Sequence, residues 1–182
     1  MGQRWGRIMH AFSGDRGPGP QALAGVVAVI GVRHPHVLAW GTGSDEDRPV
    51  TVVAVDEGLV IVDAGGTSRA VAWHEVVRGG WRSKTSALHW TFLDRAEDSV
   101  KLDRPGDLPA VFNDRVTASI VVREPLDVDG GRVTVAGRRR LGSLDDGAIQ
   151  WTAVADGEAD LTDPVTESRV LEATARLREA WR

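Results

Sequence analysis

Short runs of β-branched and apolar residues, separated by turns, dominate residues 49–81. The three Val-rich runs of this segment are divided by an Asp-Glu-Gly turn at 56–58 and a Gly-Gly-Thr-Ser turn at 65–68. Val, Ile and Thr favour strands, and short polar or glycine-rich connections join neighbouring antiparallel strands. The pattern therefore predicts a β-meander.

Side-chain alternation predicts which faces of these strands are buried. Neighbouring residues of a strand point to opposite faces, so the run 69–76 places Val71 and Trp73 on one side. The run 87–94 alternates in the same way, with Leu88, Trp90 and Phe92 on its apolar face. A sheet with one apolar face must curl or be covered. We expect a mostly β (α+β) fold, a small antiparallel barrel or sandwich.

Helical spacing appears in three places. Residues 21–32 form a small-residue apolar run, which predicts a helix that plugs one end of the barrel. A helix near 108–119 follows Asp107, and a C-terminal helix at 164–181 follows Asp163 as N-cap and Pro164 at the first helical position. The apolar stripe expected for this last helix is Val170, Leu171, Thr174, Leu177 and Trp181.

Residues 120–155 add three predicted strands, the first two joined by an Asp-Gly-Gly turn at 129–131. The sequence leaves open whether they belong to the same sheet as residues 37–103. We therefore predict a single domain at 21–182, with residues 120–155 as an extra three-stranded segment and the last helix closing it.

Residues 1–20 predict a flexible N-terminal arm. Its apolar side chains, Trp5, Ile8, Met9 and Phe12, have helical spacing and are followed by a segment rich in Gly and Pro. Two hypotheses remain open. The arm docks on its own domain, or these four residues bind a protein partner or the surface of a membrane.

A resemblance is carried by Gly58 and Leu59 after a tight turn, and by the Arg-Ala-Val-Ala-Trp-x-Glu-Val pattern at 69–76. Over residues 37–119 the chain resembles bacterial pleckstrin-homology-like (PH-like) and GRAM-type domains. The Arg-Val-Thr-Ala-Ser segment at 115–119 is similar to one found in a group of uncharacterised actinobacterial proteins. The resemblance implies a PH-like barrel that acts as a non-catalytic binding or accessory module, in protein–protein or peripheral membrane association.

Composition narrows the function classes. The chain has no cysteine, which excludes disulfides, thiolate catalysis and sulfur-ligated zinc. A net charge of −4 argues against bulk attraction to nucleic acid. No phosphate loop, dinucleotide fingerprint or nucleophile elbow is present, so no catalytic residue and no cofactor are assigned. In the absence of a secretory signal pattern, we expect a cytoplasmic location, including the inner face of the cell membrane.

Histidines and arginines supply the remaining site candidates. His34, His36, His74 and His89 lack metal-ligand spacing, so no metal site is predicted. Arg138 and Arg140 share one face of a predicted strand and are candidate anion-binding residues, for phosphate or an anionic lipid. The competing hypothesis pairs this arginine cluster with Asp145, Asp146 and Glu124 on a solvated edge.

A second function hypothesis comes from the tryptophans. If the barrel is not packed solid, a small ligand or cofactor would occupy a pocket in its interior, because such sites are concave and largely apolar. The residues expected to line this pocket are Trp40, Trp73, Trp90 and Trp151.

Overall fold

The structure, a computed structural model, describes residues 17–181. These residues form ten strands and three α-helices: α1 (Pro20–Ile30), β1 (Val37–Asp45), β2 (Arg48–Val55), β3 (Gly58–Asp63), β4 (Ser68–Ala72), β5 (Val76–Arg82), β6 (Ala87–Phe92), β7 (Glu97–Arg104), α2 (Leu108–Ala118), β8 (Ile120–Val128), β9 (Gly131–Arg139), β10 (Ile149–Gly157) and α3 (Pro164–Ala180). Short 3-10 turns lie at Trp73–Glu75 and Gly142–Leu144.

Seven antiparallel strands form one curled sheet, a half-barrel with the order β4-β3-β2-β1-β7-β6-β5. Two meanders, β1 to β4 and β5 to β7, meet where β1 pairs with β7. Strands β8, β9 and β10 form a separate three-stranded sheet. The mostly β prediction is confirmed, and the question left open for residues 120–155 is answered by a second sheet.

Strands β2 and β3 are buried on both faces. Their inward residues, such as Val52 and Leu59, join the main core, whereas Val53, Val60 and their alternating neighbours form a second apolar cluster outside the sheet. Helix α1 covers this outer cluster with Ala22 and Val26. The prediction that α1 plugs one end of the barrel is therefore wrong, because an apolar outer sheet face needs its own cover.

The predicted strand at 69–76 is broken at its centre. Strand β4 ends at Ala72, the 3-10 turn follows, and β5 begins at Val76. Trp73 lies in this turn, is fully buried, and donates a hydrogen bond from Nε1 to the Val55 carbonyl oxygen at 3.0 Å. Both Val71 and Trp73 are inward as predicted, but the chain changes direction between the two meanders here.

Helix α2 packs its apolar face on the half-barrel, as predicted from the spacing of residues 108–119. Leu108 and Phe112 are buried in the main core, and the Ser119 hydroxyl after the helix donates to the Val116 carbonyl oxygen at 2.7 Å. Arg115 donates to the Asp56 carbonyl oxygen at 3.0 Å. Arg115 and Ser119, the first and last residues of the segment 115–119, thus make structural contacts.

Helix α3 packs on the second sheet through Val170, Ala173 and Leu177, which contact Leu126 and Val135. Its N-cap is confirmed, since the Asp163 carboxylate accepts a hydrogen bond from the Thr166 backbone N–H at 2.8 Å.

The predicted apolar stripe of α3 is partly wrong. Leu171 and Trp181 are exposed rather than docked. Leu171 falls outside the series of docked residues, because Val170, Ala173 and Leu177 repeat at intervals of three and four. Trp181 continues that spacing but lies beyond the end of α3 at Ala180, where the backbone is no longer helical.

Candidate anion-binding site

Arg138 is a buried arginine without a countercharge. It lies on β9 with 4% of its surface exposed, and Nη1 donates to the Val76 carbonyl oxygen of β5 at 2.7 Å. Within residues 17–181 it forms no ion pair, and its Nε has no hydrogen-bond partner. Burial lowers the pKa of Arg138 from its ordinary value. Arginine nevertheless stays charged in proteins, so an uncompensated cation is held between the two sheets.

Strand geometry determines this position. Arg138 pairs with Ile120 of β8 and Gln150 of β10, near the end of the second sheet. The backbone N–H of Arg139 donates to the Ser119 carbonyl oxygen at 2.9 Å, which ties this end of β9 to the chain leaving α2. The side chain of Arg138 thereby reaches β5 of the half-barrel.

A cavity of about 200 Å³ is lined by both predicted arginines, together with His74, Asp146, Ala148, Ile149 and Gln150. Arg140 is about half exposed, and its Nη1 lies 3.9 Å from the Asp146 carboxylate. Arg138 and Arg140 thus line one cavity, which we call the arginine cavity, although Arg140 follows the end of β9 rather than lying on the strand as predicted. Arg139 lies 3.7 Å from Asp145, which is not among the residues lining this cavity.

The competing hypothesis, in which the arginine cluster pairs with Asp145, Asp146 and Glu124 on a solvated edge, is only partly correct. Asp145 and Asp146 lie near Arg139 and Arg140, but the Glu124 carboxylate pairs with Arg176 at 2.6 Å. Arg138 is buried rather than solvated, so it does not belong to such an edge. Arg138 is buried because its side chain extends from β9 to the Val76 carbonyl oxygen of β5, a contact that strand periodicity alone does not reveal.

His74, which the sequence offered only as a metal-ligand candidate, is also a member of this site. It is 9% exposed and lies in the 3-10 turn at one wall of the arginine cavity. Burial lowers the pKa of His74 below its ordinary value of 6.5; Arg140 and Arg138 act in the same direction, while Glu75 and Asp146 oppose them. The imidazole is therefore neutral at pH 7.

A second cavity of about 250 Å³ adjoins the first and shares His74 and Arg140 with it. We call it the aliphatic groove, because Val29, Ile30, Ala70, Ala72, Leu141 and Leu144 line it beside Glu57 and Glu75. Val29 and Leu144 are exposed, at 37% and 42%.

Glu57 is the counterpart of Arg138 in the aliphatic groove. It is 8% exposed, and its Oε1 accepts hydrogen bonds from the backbone N–H and the hydroxyl of Ser143 at 3.0 and 2.7 Å. Its Oε2 is buried without a partner in the described structure. The sequence predicts only a turn at Glu57; its contact with Ser143, 86 residues away, has no local signal in the sequence.

The four tryptophans occupy three different environments. Trp73 and Trp90 are buried in the main core and both contact the ring of Phe112, with centroid distances of 5.9 and 6.2 Å. Trp40 packs against the outer cluster under α1. Trp151 lies on β10, where the Arg178 guanidinium is 5.8 Å from its ring centroid.

The other candidates form no comparable site. His36 Nδ1 lies 3.1 Å from the Asp56 carboxylate, and residues 17–181 contain no cluster of three or more metal-ligating side chains. The predicted partner-binding residues Trp5, Ile8, Met9 and Phe12 lie outside the described residues. No helix in the described part of the chain is both long and apolar enough to cross a membrane.

Comparison with known proteins adds no relative: no family model, no curated protein and no solved structure matches this chain.

The lowered pKa of His74 predicts a loss of stability on acidification. The unfolded chain takes up a proton near pH 6.5, whereas the folded protein resists it, so the unfolded state binds more protons just below that pH. The free energy of unfolding should therefore fall as the pH drops below about 6.5. Urea denaturation between pH 7.5 and 5.5 measures this slope.

The matched variants for this experiment are His74→Gln and His34→Gln. The first should flatten the pH dependence, and the second, at an exposed residue that forms no ion pair in the described part of the chain, is the control for the substitution itself. Equal slopes for the wild-type protein and His74→Gln would show that His74 does not resist protonation.

Proposed function

We propose that this protein is a non-catalytic binding module that holds an anionic group of a protein partner in the arginine cavity. The observation that carries the proposal is the buried guanidinium of Arg138 without a countercharge. A buried unpaired charge destabilises a fold, and strongly perturbed ionisable groups in clefts concentrate at functional sites. An incoming anion supplies the missing charge.

Arginine suits this role because its planar donors match carboxylate and phosphate oxygens, and such charge-assisted hydrogen bonds are stronger than neutral ones. Arg140 adds a second cation at the mouth of the cavity, where Asp146 is only loosely placed at 3.9 Å. The residues that line this cavity include no hydroxyl or thiol side chain, which supports binding rather than nucleophilic catalysis.

The geometry favours a protruding group over a flat membrane. Anionic membranes attract clusters of exposed basic side chains, whereas Arg138 is buried and Asp145 and Asp146 lie beside the arginines. The whole chain has a net charge of −4. Association with a membrane through the N-terminal arm stays a separate prediction.

A PH-like fold and a cytoplasmic location are part of the proposal. Two antiparallel meanders followed by a helix that packs on the curled sheet support the PH-like assignment. The lack of cysteine is in keeping with a reducing compartment. The separate environments of the tryptophans favour the arginine cavity over a tryptophan-lined ligand pocket.

Titration with sodium acetate and inorganic phosphate, followed by NMR of the backbone amides, tests the anion site. We expect shifts at residues 74, 138–140 and 146–150. Arg140→Gln should weaken binding about tenfold, since one charge-assisted hydrogen bond contributes roughly 1.5 kcal/mol. Arg139→Gln is the matched control, because Arg139 does not line the cavity.

Two results would contradict the proposal. One is anion binding that Arg140→Gln and Arg139→Gln weaken equally, which would indicate surface charge rather than a site. The other is an Arg140-dependent affinity for vesicles of anionic lipid without any for acetate or phosphate, which would make the membrane the partner.

A further inference from the structure

Resting on the proposed function, we infer that the group held at this site is a C-terminal lysine of the protein partner. The α-carboxylate lies between Arg138 and Arg140, the methylene stem lies in the aliphatic groove, and the ammonium group reaches Glu57. The inference starts from two oppositely charged, buried side chains that line adjoining cavities and are both incompletely paired.

Each of these two charges is incompletely paired, and a ligand can supply the partner that is missing. Arg138 is 4% exposed with an unpartnered Nε, and Glu57 is 8% exposed with an unpartnered Oε2. A buried charge is retained in proteins when it is paired and hydrogen-bonded. One ligand that carries a carboxylate at one end and a cation at the other satisfies both residues.

The wall between the two charges is apolar enough for a methylene chain. His74 and Arg140 border both cavities, and the groove continues along Val29, Leu141 and Leu144. Lysine buries its four-carbon stem along apolar surface while its ammonium group meets a polar partner. The groove volume, about 250 Å³, is below the roughly 300–1,000 Å³ of typical small-molecule pockets.

The distribution of charge gives the ligand a direction. The arginine cavity contains two guanidinium groups and Asp146, while Glu57 and Glu75 line the aliphatic groove. A carboxylate is therefore favoured at the first end and a cation at the second. His74 borders both cavities, and its lowered pKa favours the neutral imidazole there.

Glu57 further selects lysine over arginine. Its Oε1 is already occupied by two hydrogen bonds from Ser143, which leaves a single free oxygen. A guanidinium group is best matched by both oxygens of a carboxylate, whereas an ammonium group acts as a compact point charge. A C-terminal leucine would fill the groove but leave Glu57 without a countercharge.

Calorimetric titration of the whole protein with small probes tests the charge pair directly. The probes are 6-aminohexanoate, which carries both charges, hexanoate, which lacks the ammonium group, and hexylamine, which lacks the carboxylate. We expect 6-aminohexanoate to bind at least tenfold more tightly than either. This comparison uses the wild-type chain and needs no variant to fold.

Matched variants assign the two ends. Glu57→Gln, which keeps an acceptor for Ser143, should remove the advantage of 6-aminohexanoate over hexanoate and leave hexanoate binding unchanged. Arg140→Gln should weaken both probes. Glu97→Gln, at an exposed residue of β7, should change neither. Leu144→Asn should weaken 6-aminohexanoate, whereas Leu171→Asn on the exposed face of α3 should not.

Peptides then establish the source of the ligand. A tetrapeptide that ends in lysine with a free carboxylate should bind, and the same peptide with an amidated C-terminus should lose at least tenfold in affinity. Binding of 6-aminohexanoate without binding of the free-acid peptide would overturn the assignment to a protein C-terminus.

The remaining outcomes separate the two proposals. Equal affinities for hexanoate and 6-aminohexanoate, both dependent on Arg140, would overturn the lysine inference and leave the anion site standing. Failure of the carboxylates and of inorganic phosphate to bind in an Arg140-dependent manner would overturn both.

Discussion

Replacing Trp73 by alanine should lower the free energy of unfolding by about 3–5 kcal/mol, the range typical of truncating a buried tryptophan. Trp73 is fully buried and packs edge-on against Phe112 at a centroid distance of 5.9 Å. The substitution also leaves the Val55 carbonyl oxygen without its donor. For a domain of this size the melting temperature should fall by roughly 6–20 °C.

The loss should be especially large here because Trp73 lies in the 3-10 turn that joins the two meanders. The stability of Trp73→Phe should lie between that of the wild-type protein and that of Trp73→Ala, since phenylalanine keeps a ring against Phe112 but removes the hydrogen bond to Val55. Trp181→Ala is the control, because Trp181 is 49% exposed at the end of α3. An unchanged melting temperature for Trp73→Ala would contradict the role given to this turn.

Alternation was a reliable guide where a strand has one buried face. The spacing of Leu88 and Trp90 predicted an inward face for β6, and both side chains are buried. Alternation gave no guide in β2 and β3, where apolar residues occupy successive positions because both faces are buried. These uninterrupted runs were the available signal that a second layer, helix α1, covers the sheet.

The geometry of the turn between β1 and β2 was a second feature that could not be predicted from the sequence. The acidic stretch after Gly43 had the composition of a long polar loop, yet β1 continues to Asp45 and β2 begins at Arg48. The chain reverses at Glu46 and Asp47, whose φ angles are 45° and 63°. Composition does not distinguish a tight hairpin with two left-handed residues from a longer solvated loop.

Only the part of the candidate site that comes from neighbouring residues of the sequence was predictable. The period of a strand places Arg138 and Arg140 on one face, and they do line one cavity. The partners that give the site its character come from far along the chain: Val76 lies 62 residues from Arg138. Contacts of this kind follow from how the second sheet packs on the half-barrel, for which the sequence carries no periodic signal.

Gly43 lies at the junction of β1 and β7, which joins the two meanders of the half-barrel; we call this junction the seam. It pairs with Leu102 where β1 meets β7, and only three residue pairs join these strands in the described structure. A Cβ at position 43 would lie 1.9 Å from the Lys101 carbonyl oxygen and 2.7 Å from the Leu102 Cα. Because both obstacles are backbone atoms, a side-chain adjustment cannot relieve the clash.

We therefore expect Gly43→Ala to cost about 1–3 kcal/mol or more, as overpacking of a closed interior does. The loss should be concentrated at the seam, with faster amide hydrogen exchange at residues 42–44 and 101–104 than in the β2–β3 pair. Gly65→Ala is the control, since its added Cβ would meet only the Asp63 side chain, at 3.3 Å. If urea denaturation gave the same stability for both variants, the close β1–β7 approach would not be what joins the two meanders.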